Sequence, residues 1–259
     1  MPVPAAHLLC DDESVIGQTF YVMDYVPGRV ITDREMPDCH PDERTQMLLS
    51  LSTVLGNLHA VDYRQTGLQD FGKPSGYVAR QITRWSGQYE ASKLEDYEPM
   101  DFVIGWLNDN NPSDEQAAIA HGDYRLGNVI FDRESPRVAA VLDWELSTIG
   151  HPLADLGYFL MPYRLSAASS PWGLHGLDLD ALGIPSEAAT LEAYADAAGM
   201  RKVPSIDYYI VFSMFRLAAI LVGVLRRGVD GNASDPRAVE RGKTYKELID
   251  VALGIARNS

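Results

Sequence analysis

The period of the apolar positions changes along the chain, and the changes divide it into elements. Phe20 to Val26 is rich in aromatic and β-branched residues and is closed by Pro27-Gly28, which predicts a strand running into a turn. From Pro41 the period becomes helical. Pro41 suits a first helical position, Asp42 and Glu43 suit the positive end of the helix dipole, and Met47, Leu48, Leu51, Val54, Leu55 and Leu58 follow at spacings of three and four. The pattern predicts a helix over 41–60. Helical spacing recurs over 75–92 and 99–108, with a loop over 62–74. From residue 117 it gives way to short apolar runs, Ala117–Ala120, Val129–Phe131 and Val138–Leu142, which read as strands flanking polar loops. Helical spacing then returns over 186–198, 205–227 and 236–256. The order predicts a mainly helical lobe with its polar chemistry on a small β-hairpin-like insert, an α+β class, without internal repeat or low-complexity tract.

The run Ile206 to Leu225 is apolar enough to raise the question of a membrane, but Asp207 and Arg216 lie within it. A charge near the middle of a spanning helix is expensive, so the run reads as a buried core helix. A length of 259 residues with 46% hydrophobic content allows a substantial core. The formal net charge of −14 argues against nonspecific binding to nucleic acid or to anionic membranes and favours a small-molecule partner. Cys10 and Cys39 are too few for a disulfide framework, and the start lacks a basic region followed by an apolar run. Both observations lead to the expectation of a cytoplasmic protein. The sequence is silent on oligomeric state.

The densest polar cluster is His121-Gly122-Asp123-Tyr124-Arg125-Leu126-Gly127-Asn128, set between two strand-like runs and followed by Val138 to Asp143-Trp144-Glu145. Transfer of a phosphoryl group from ATP requires a group that takes or orients the acceptor hydroxyl proton, and oxygen ligands that hold Mg²⁺ on the phosphates. Asp123 suits the first task, and Asn128 with Asp143 the second. Mg²⁺ keeps several waters and takes one or two protein oxygens besides phosphate, so two such residues suffice. Taken singly, each has a plainer reading: Asp123 and Asn128 as Asx side chains that satisfy a loop, Asp143 as a helix cap, Glu145 as a surface carboxylate. Their ordered occurrence favours chemistry.

This pattern resembles the aminoglycoside phosphotransferases, choline kinases and their relatives, which share the protein-kinase fold. Their catalytic loop reads H-G-D-x-x-x-x-N, and His121, Gly122, Asp123 and Asn128 match it in identity and spacing. Ala139-Ala140-Val141-Leu142-Asp143 resembles the family's strand ending in a metal-binding Asp. Gly150-His151-Pro152-Leu153-Ala154-Asp155-Leu156-Gly157 resembles the segment whose Asp braces the catalytic loop. The resemblance implies a Mg²⁺- and ATP-dependent phosphotransferase with Asp123, Asn128 and Asp143 as catalytic residues. Asn128, Asp143 and Glu145 would lie at the metal, with His121 and Asp155 in supporting positions. The strand from Phe20 resembles the hinge between lobes, where main-chain groups of Met23, Asp24, Tyr25 and Val26 would meet the adenine. The wording Arg125 to Phe131, Trp144-Glu145-Leu146-Ser147 and Gly150-His151-Pro152 is most similar to kinase-like domains found alone or attached to acyl-CoA dehydrogenases. It implies a hydroxyl acceptor such as a hydroxyacyl-CoA.

Met1 to Thr19 contains neither a Gly-rich strand-turn-strand nor an Ala-x-Lys strand. The resemblance therefore implies a protein-kinase-like fold with a truncated N-terminal lobe that retains its hinge strand, residues 1–27, followed by a catalytic lobe over 28–259. Without the glycine loop and Lys, activity would be impaired, because both supply charge stabilisation to the phosphates. The rival from another class is a noncatalytic pseudokinase-like binding module. A metal-dependent hydrolase is a weaker rival, since it would want more metal ligands, such as His pairs. Outside the motifs, Arg125 is a candidate for a phosphate or a substrate acid, His59 reads as a packed or capping histidine, and Arg226-Arg227 suit a helix C-terminus.

Overall fold

The computed structural model describes residues 1–113 and 116–259. In chain order the elements are β1 (Ala6–Cys10), β2 (Phe20–Met23), α1 (Pro41–His59), α2 (Tyr77–Ser92), α3 (Glu98–Asp109), β3 (Ala118–Ala120), β4 (Val129–Phe131), β5 (Val138–Val141) and β6 (Thr148–Gly150). They continue with α4 (Pro152–Leu160), α5 (Leu179–Leu182), α6 (Glu187–Ala197), α7 (Asp207–Val229), α8 (Ala238–Lys243) and α9 (Tyr245–Asn258). The described strands form antiparallel pairs, β1 with β2, β3 with β6 and β4 with β5. The class is α+β, as the periodicity predicts.

One compact unit comprises residues 1–58, 123–146 and 178–201. Its core is built on α1, whose buried face carries Met47, Leu51 and Leu55, with Tyr124, Phe131, Ile184 and Tyr194. Helix α6 lies so near α1 that a Cβ on Gly56 would fall 2.6 Å from the Tyr194 carbonyl oxygen, and the Ser52 hydroxyl donates to the Thr190 carbonyl at 2.9 Å. The Pro27-Gly28 turn brings the chain against β4. A Cβ at Gly28 would lie 2.4 Å from the Phe131 carbonyl oxygen, so only glycine fits there. Arg29 then exchanges two backbone hydrogen bonds with Phe131, at 2.8 and 2.9 Å.

The second unit comprises residues 59–122, 147–177 and 202–259. Helix α7 is its axis, with most of the positions from Tyr208 to Leu225 buried under α2, α3, α4, α8 and α9. It is long and apolar enough to cross a membrane, and it is mostly buried within the fold. Gly157 of α4 admits the Tyr209 backbone, to which a Cβ would come within 2.5 Å, and the Tyr209 hydroxyl meets His151 Nε2 at 3.0 Å.

The structure corrects two expectations. The strand predicted over Phe20–Val26 ends at Met23, because the Asp24 N–H turns to the Ala5 carbonyl at 2.9 Å and the β1 partner residues run out. Helix 236–256 is two helices. Both the N–H and the hydroxyl of Thr244 take the Arg241 carbonyl, at 3.2 and 2.7 Å, which replaces the regular helical ladder at that point. The run at 118–120 is a strand, as predicted, and it pairs with Thr148–Gly150, a strand too short to stand out in the sequence.

Candidate active site

The hairpin β4–β5 and the loops at its ends carry the motif residues of the first unit. Asp123, Tyr124 and Arg125 precede a single 3₁₀ turn, Leu126–Asn128, closed by the Asn128 N–H on the Arg125 carbonyl at 2.9 Å. Buried Tyr124 fixes this loop to α1 by donating its hydroxyl to the Leu51 carbonyl at 2.9 Å. Buried Asn128 turns its amide nitrogen back onto Asp123, donating to the carboxylate Oδ2 at 2.8 Å and to the backbone carbonyl at 2.9 Å. With Nδ2 committed, the acceptor oxygen Oδ1 is the end of Asn128 left to serve another group.

Asp143 follows β5 directly. The N–H of Leu142 is bound to the Asn128 carbonyl at 2.9 Å, so the residue before Asp143 is tied to Asn128. Asp143 itself has φ of +65°, in the left-handed region that costs a residue with a Cβ about 1 kcal/mol or more, although Asp tolerates it better than most. Its side chain is exposed and accepts no hydrogen bond from a described residue. Glu145 is exposed on the one-turn 3₁₀ helix Trp144–Leu146.

In the second unit, Asp155 is buried in the first turn of α4, and its two carboxylate oxygens accept the peptide N–H groups of His121 and Gly122 at 2.5 and 2.9 Å. His59 Nε2 lies 3.5 Å from Oδ2. Burial pushes the Asp155 carboxyl upward, but the hydrogen bond and charge of His59 and the two peptide donors outweigh it and hold the group below 3.8. Gly122 adopts φ of +84°, which only glycine takes without strain, so both peptides can face one carboxylate.

The structure thus joins Asp123 with Asn128, links Asn128 to Leu142, the residue before Asp143, and joins His121 with Asp155. Arg125 lies over the loop, with Nε 3.3 Å from Asp123 Oδ2 and Nη1 so close to Gly127 that a Cβ there would lie 2.6 Å away. At the expected hinge, the Asp24 carboxylate is occupied by His7 Nε2 at 2.6 Å, and Met23 and Tyr25 are exposed. Sequence reasoning placed His59 as a packed histidine and missed its partner, which is remote in the chain. An open depression at the α8–α9 junction, lined by Lys243, Lys246, Glu247 and Asp250, contains none of these residues.

Among the described residues, no group of three or more His, Cys, Asp or Glu side chains converges as a metal cluster. Asn128 Oδ1 and the Asp143 carboxylate are oxygen donors of the kind that a hard cation completed by phosphate and water could take.

Comparison with known proteins adds four findings. A sequence model of the family described as "Phosphotransferase enzyme family" matches residues 1–203. The mouse protein named acyl-CoA dehydrogenase family member 10 is 37% identical over 257 residues, which are 99% of this chain and 24% of that protein. The chain spans a quarter to a third of the length of the curated relatives it matches. A crystal structure from Ralstonia eutropha, provisionally named an aminoglycoside phosphotransferase, superposes with a TM-score of 0.94 at 42% identity, covering 99% of this chain and 78% of that one. The GDP complex of aminoglycoside 2'-phosphotransferase-IIIa shares the fold, with a TM-score of 0.61 at 15% identity over 97% of this chain and 75% of that one.

Proposed function

The chain belongs to the phosphotransferase enzyme family, and from that premise we propose that it transfers the terminal phosphoryl group of Mg·ATP to a hydroxyl of a small metabolite. The observation that carries the reading is the unit Asp123–Asn128–Asp143. One carboxylate is oriented by an amide, and a second accepts no hydrogen bond from the described residues and sits on left-handed backbone next to Leu142, which is bound to that same Asn. Local strain of this kind concentrates where a ligand needs a side chain aimed.

In the proposed step the acceptor oxygen forms a bond to the terminal phosphorus and the bond from that phosphorus to the bridging oxygen breaks, releasing the nucleoside diphosphate. The hydroxyl proton passes to the Asp123 carboxylate, held by Asn128 with Oδ1 of Asp123 turned from that bond. Asn128 and Asp143, with Glu145 beside them, would hold Mg²⁺, which supplies charge neutralisation on the phosphates. Asp155 fixes the peptides of His121 and Gly122, the two residues that precede Asp123 in the chain. The carbonyl of Asp24 and the N–H of Val26 are main-chain groups suited to an adenine edge. The names of the curated relatives support a hydroxyl borne on a coenzyme A thioester as acceptor.

The test is calorimetric titration of the chain with ATP, with and without Mg²⁺, followed by transfer of labelled phosphate to 3-hydroxybutyryl-coenzyme A. Binding should require Mg²⁺ and be lost in Asp143→Ala. Asp123→Asn should bind and turn over more slowly by about 10²- to 10⁴-fold. Magnesium-dependent binding without transfer to any hydroxyl would instead favour a binding module. Absence of nucleotide binding would sink both.

A further inference from the structure

Within the second unit, helices α2 and α7 pack along an edge that carries polar groups where a core contact would carry aliphatic ones. At Gly223 of α7 a Cβ would lie 3.5 Å from Gln88 Nε2 and 3.6 Å from Arg227 Nη1. Farther along, the indole of Trp85 donates its N–H to Gln81 Oε1 at 2.9 Å and is flanked by two guanidinium groups. The Arg84 guanidinium carbon lies 5.3 Å from the ring centroid and that of Arg216 lies 5.8 Å from it. The phenol of Tyr77, one end of which rests on Gly150 of β6, is buried and feels the charges of Arg216, of the Asp155 carboxylate, and of Arg80 and Arg84.

Arg80 is used locally, donating to the carbonyls of Ser75 and Lys73. Arg84 and Arg216 are different, because neither forms a salt bridge or hydrogen bond with any described residue. Arg216 is half-buried in the middle of the long, apolar helix α7. A chain with 36 acidic against 22 basic residues could readily have supplied carboxylate partners. Instead two like charges face one indole and share only its π-cloud, which offsets part of their repulsion and desolvation. Guanidinium groups that keep their planar donors unspent suit a phosphate, to which they bind through paired hydrogen bonds. The same pair would repel a polycationic acceptor such as an aminoglycoside.

We propose that the α2–α7 edge is an anion subsite for the acceptor, in which Arg84 and Arg216 take a phosphate of a coenzyme A thioester and Trp85 forms its apolar wall. The inference rests on the phosphotransfer reading and gives it a substrate class, a phosphate-tailed hydroxyl compound. Tyr77 lies at the end of this edge nearest β6, the strand paired with β3, and β3 leads into His121 and Gly122.

The probe is coenzyme A itself, titrated calorimetrically into the full chain, with pantetheine, which lacks the phosphates, as control. Coenzyme A should bind and pantetheine should not at the same concentrations. Arg84→Gln and Arg216→Gln should each weaken coenzyme A about tenfold or more, the loss of one charge-assisted contact. Arg84 is exposed, so its substitution leaves the fold intact, and Arg216→Lys, which keeps the charge without the planar fork, should fall between wild type and Arg216→Gln. Equal affinity in wild type and Arg84→Gln, equal affinity for pantetheine, or no binding of coenzyme A would overturn the subsite. The wild-type preparation is titrated with Mg·ATP in parallel. Arginine-dependent coenzyme A binding without nucleotide binding would uphold the subsite and remove the phosphotransfer reading, whereas the reverse would remove only the subsite.

Discussion

Asp143 and Asp155 are two carboxylates of one motif-bearing stretch, and the fold treats them in opposite ways. Asp155 is buried, with two peptide N–H groups and a histidine arranged around its oxygens. Asp143 is exposed, sits on left-handed backbone and receives no hydrogen bond from the described residues. A carboxylate saturated by internal donors contributes rigidity, because its removal strands those donors. One whose acceptor capacity is left to solvent, at a local cost in backbone energy, is open to a ligand, the role proposed for Asp143. The contrast separates scaffold from reagent without reference to the reaction.

The largest expected effect follows from removing the scaffold member. Asp155→Ala leaves the N–H groups of His121 and Gly122 and the His59 ring without their acceptor, and should lower stability by about 3–5 kcal/mol in urea unfolding. Asp143→Ala should lower it by less than about 1 kcal/mol, as for an exposed site. Equal losses would erase the distinction. The effect of pH sharpens it. The folded Asp155 carboxyl is held below its unfolded value of 3.8, so its stabilisation is complete above that value and is lost as pH falls through the lower, folded one. The stability gap between wild type and Asp155→Asn should therefore be constant at neutral pH and narrow below about pH 4.

Asn128 connects the two kinds of residue. Its amide holds Asp123 through two hydrogen bonds, while its carbonyl oxygen faces away from them. Asn128→Asp removes both donors and sets one carboxylate against another, at a cost of about 1–3 kcal/mol. A metal between the two acids would recover part of this. The rise in melting temperature on adding Mg²⁺ should thus be larger for Asn128→Asp than for wild type. An equal rise would argue against Asn128 as a metal ligand.

Much of this arrangement was legible from local sequence. Helix α1 is written in Pro41, Asp42, Glu43 and its spaced apolar residues, and the structure begins it at Pro41 and ends it at His59. The loop from His121 to Asn128 was legible because its residues need fixed spacing within a single turn of chain. What the sequence concealed was non-local. The pairing of Ala118–Ala120 with Thr148–Gly150 depends on where the intervening hairpin returns the chain, and short strands carry no address for their partners. The same holds for His59 and Asp155, and for Arg84 and Arg216, which lie on different helices and both approach the Trp85 ring. The kink at Thr244 was hidden for another reason. The apolar spacing continues through it, and a side-chain bond to Arg241, which periodicity does not register, breaks the ladder.

The smallest effect tests the strain at Asp143 itself. At φ of +65° a residue with a Cβ is penalised by about 1–2 kcal/mol, and glycine is not, although glycine gives back about 0.4–1 kcal/mol through the greater freedom of its unfolded chain. Asp143→Gly should therefore be more stable than Asp143→Ala by up to about 1 kcal/mol, while both lose Mg²⁺-dependent nucleotide binding. Asp falls between them, since its side chain tolerates this conformation better than alanine does. Stability that rises at Asp143→Gly as binding disappears would show a position kept strained for its ligand. If glycine and alanine proved equal, the backbone at 143 would relax once the carboxylate was gone, and the left-handed turn would be a consequence of the Asp side chain and not a constraint imposed by the hairpin that carries it.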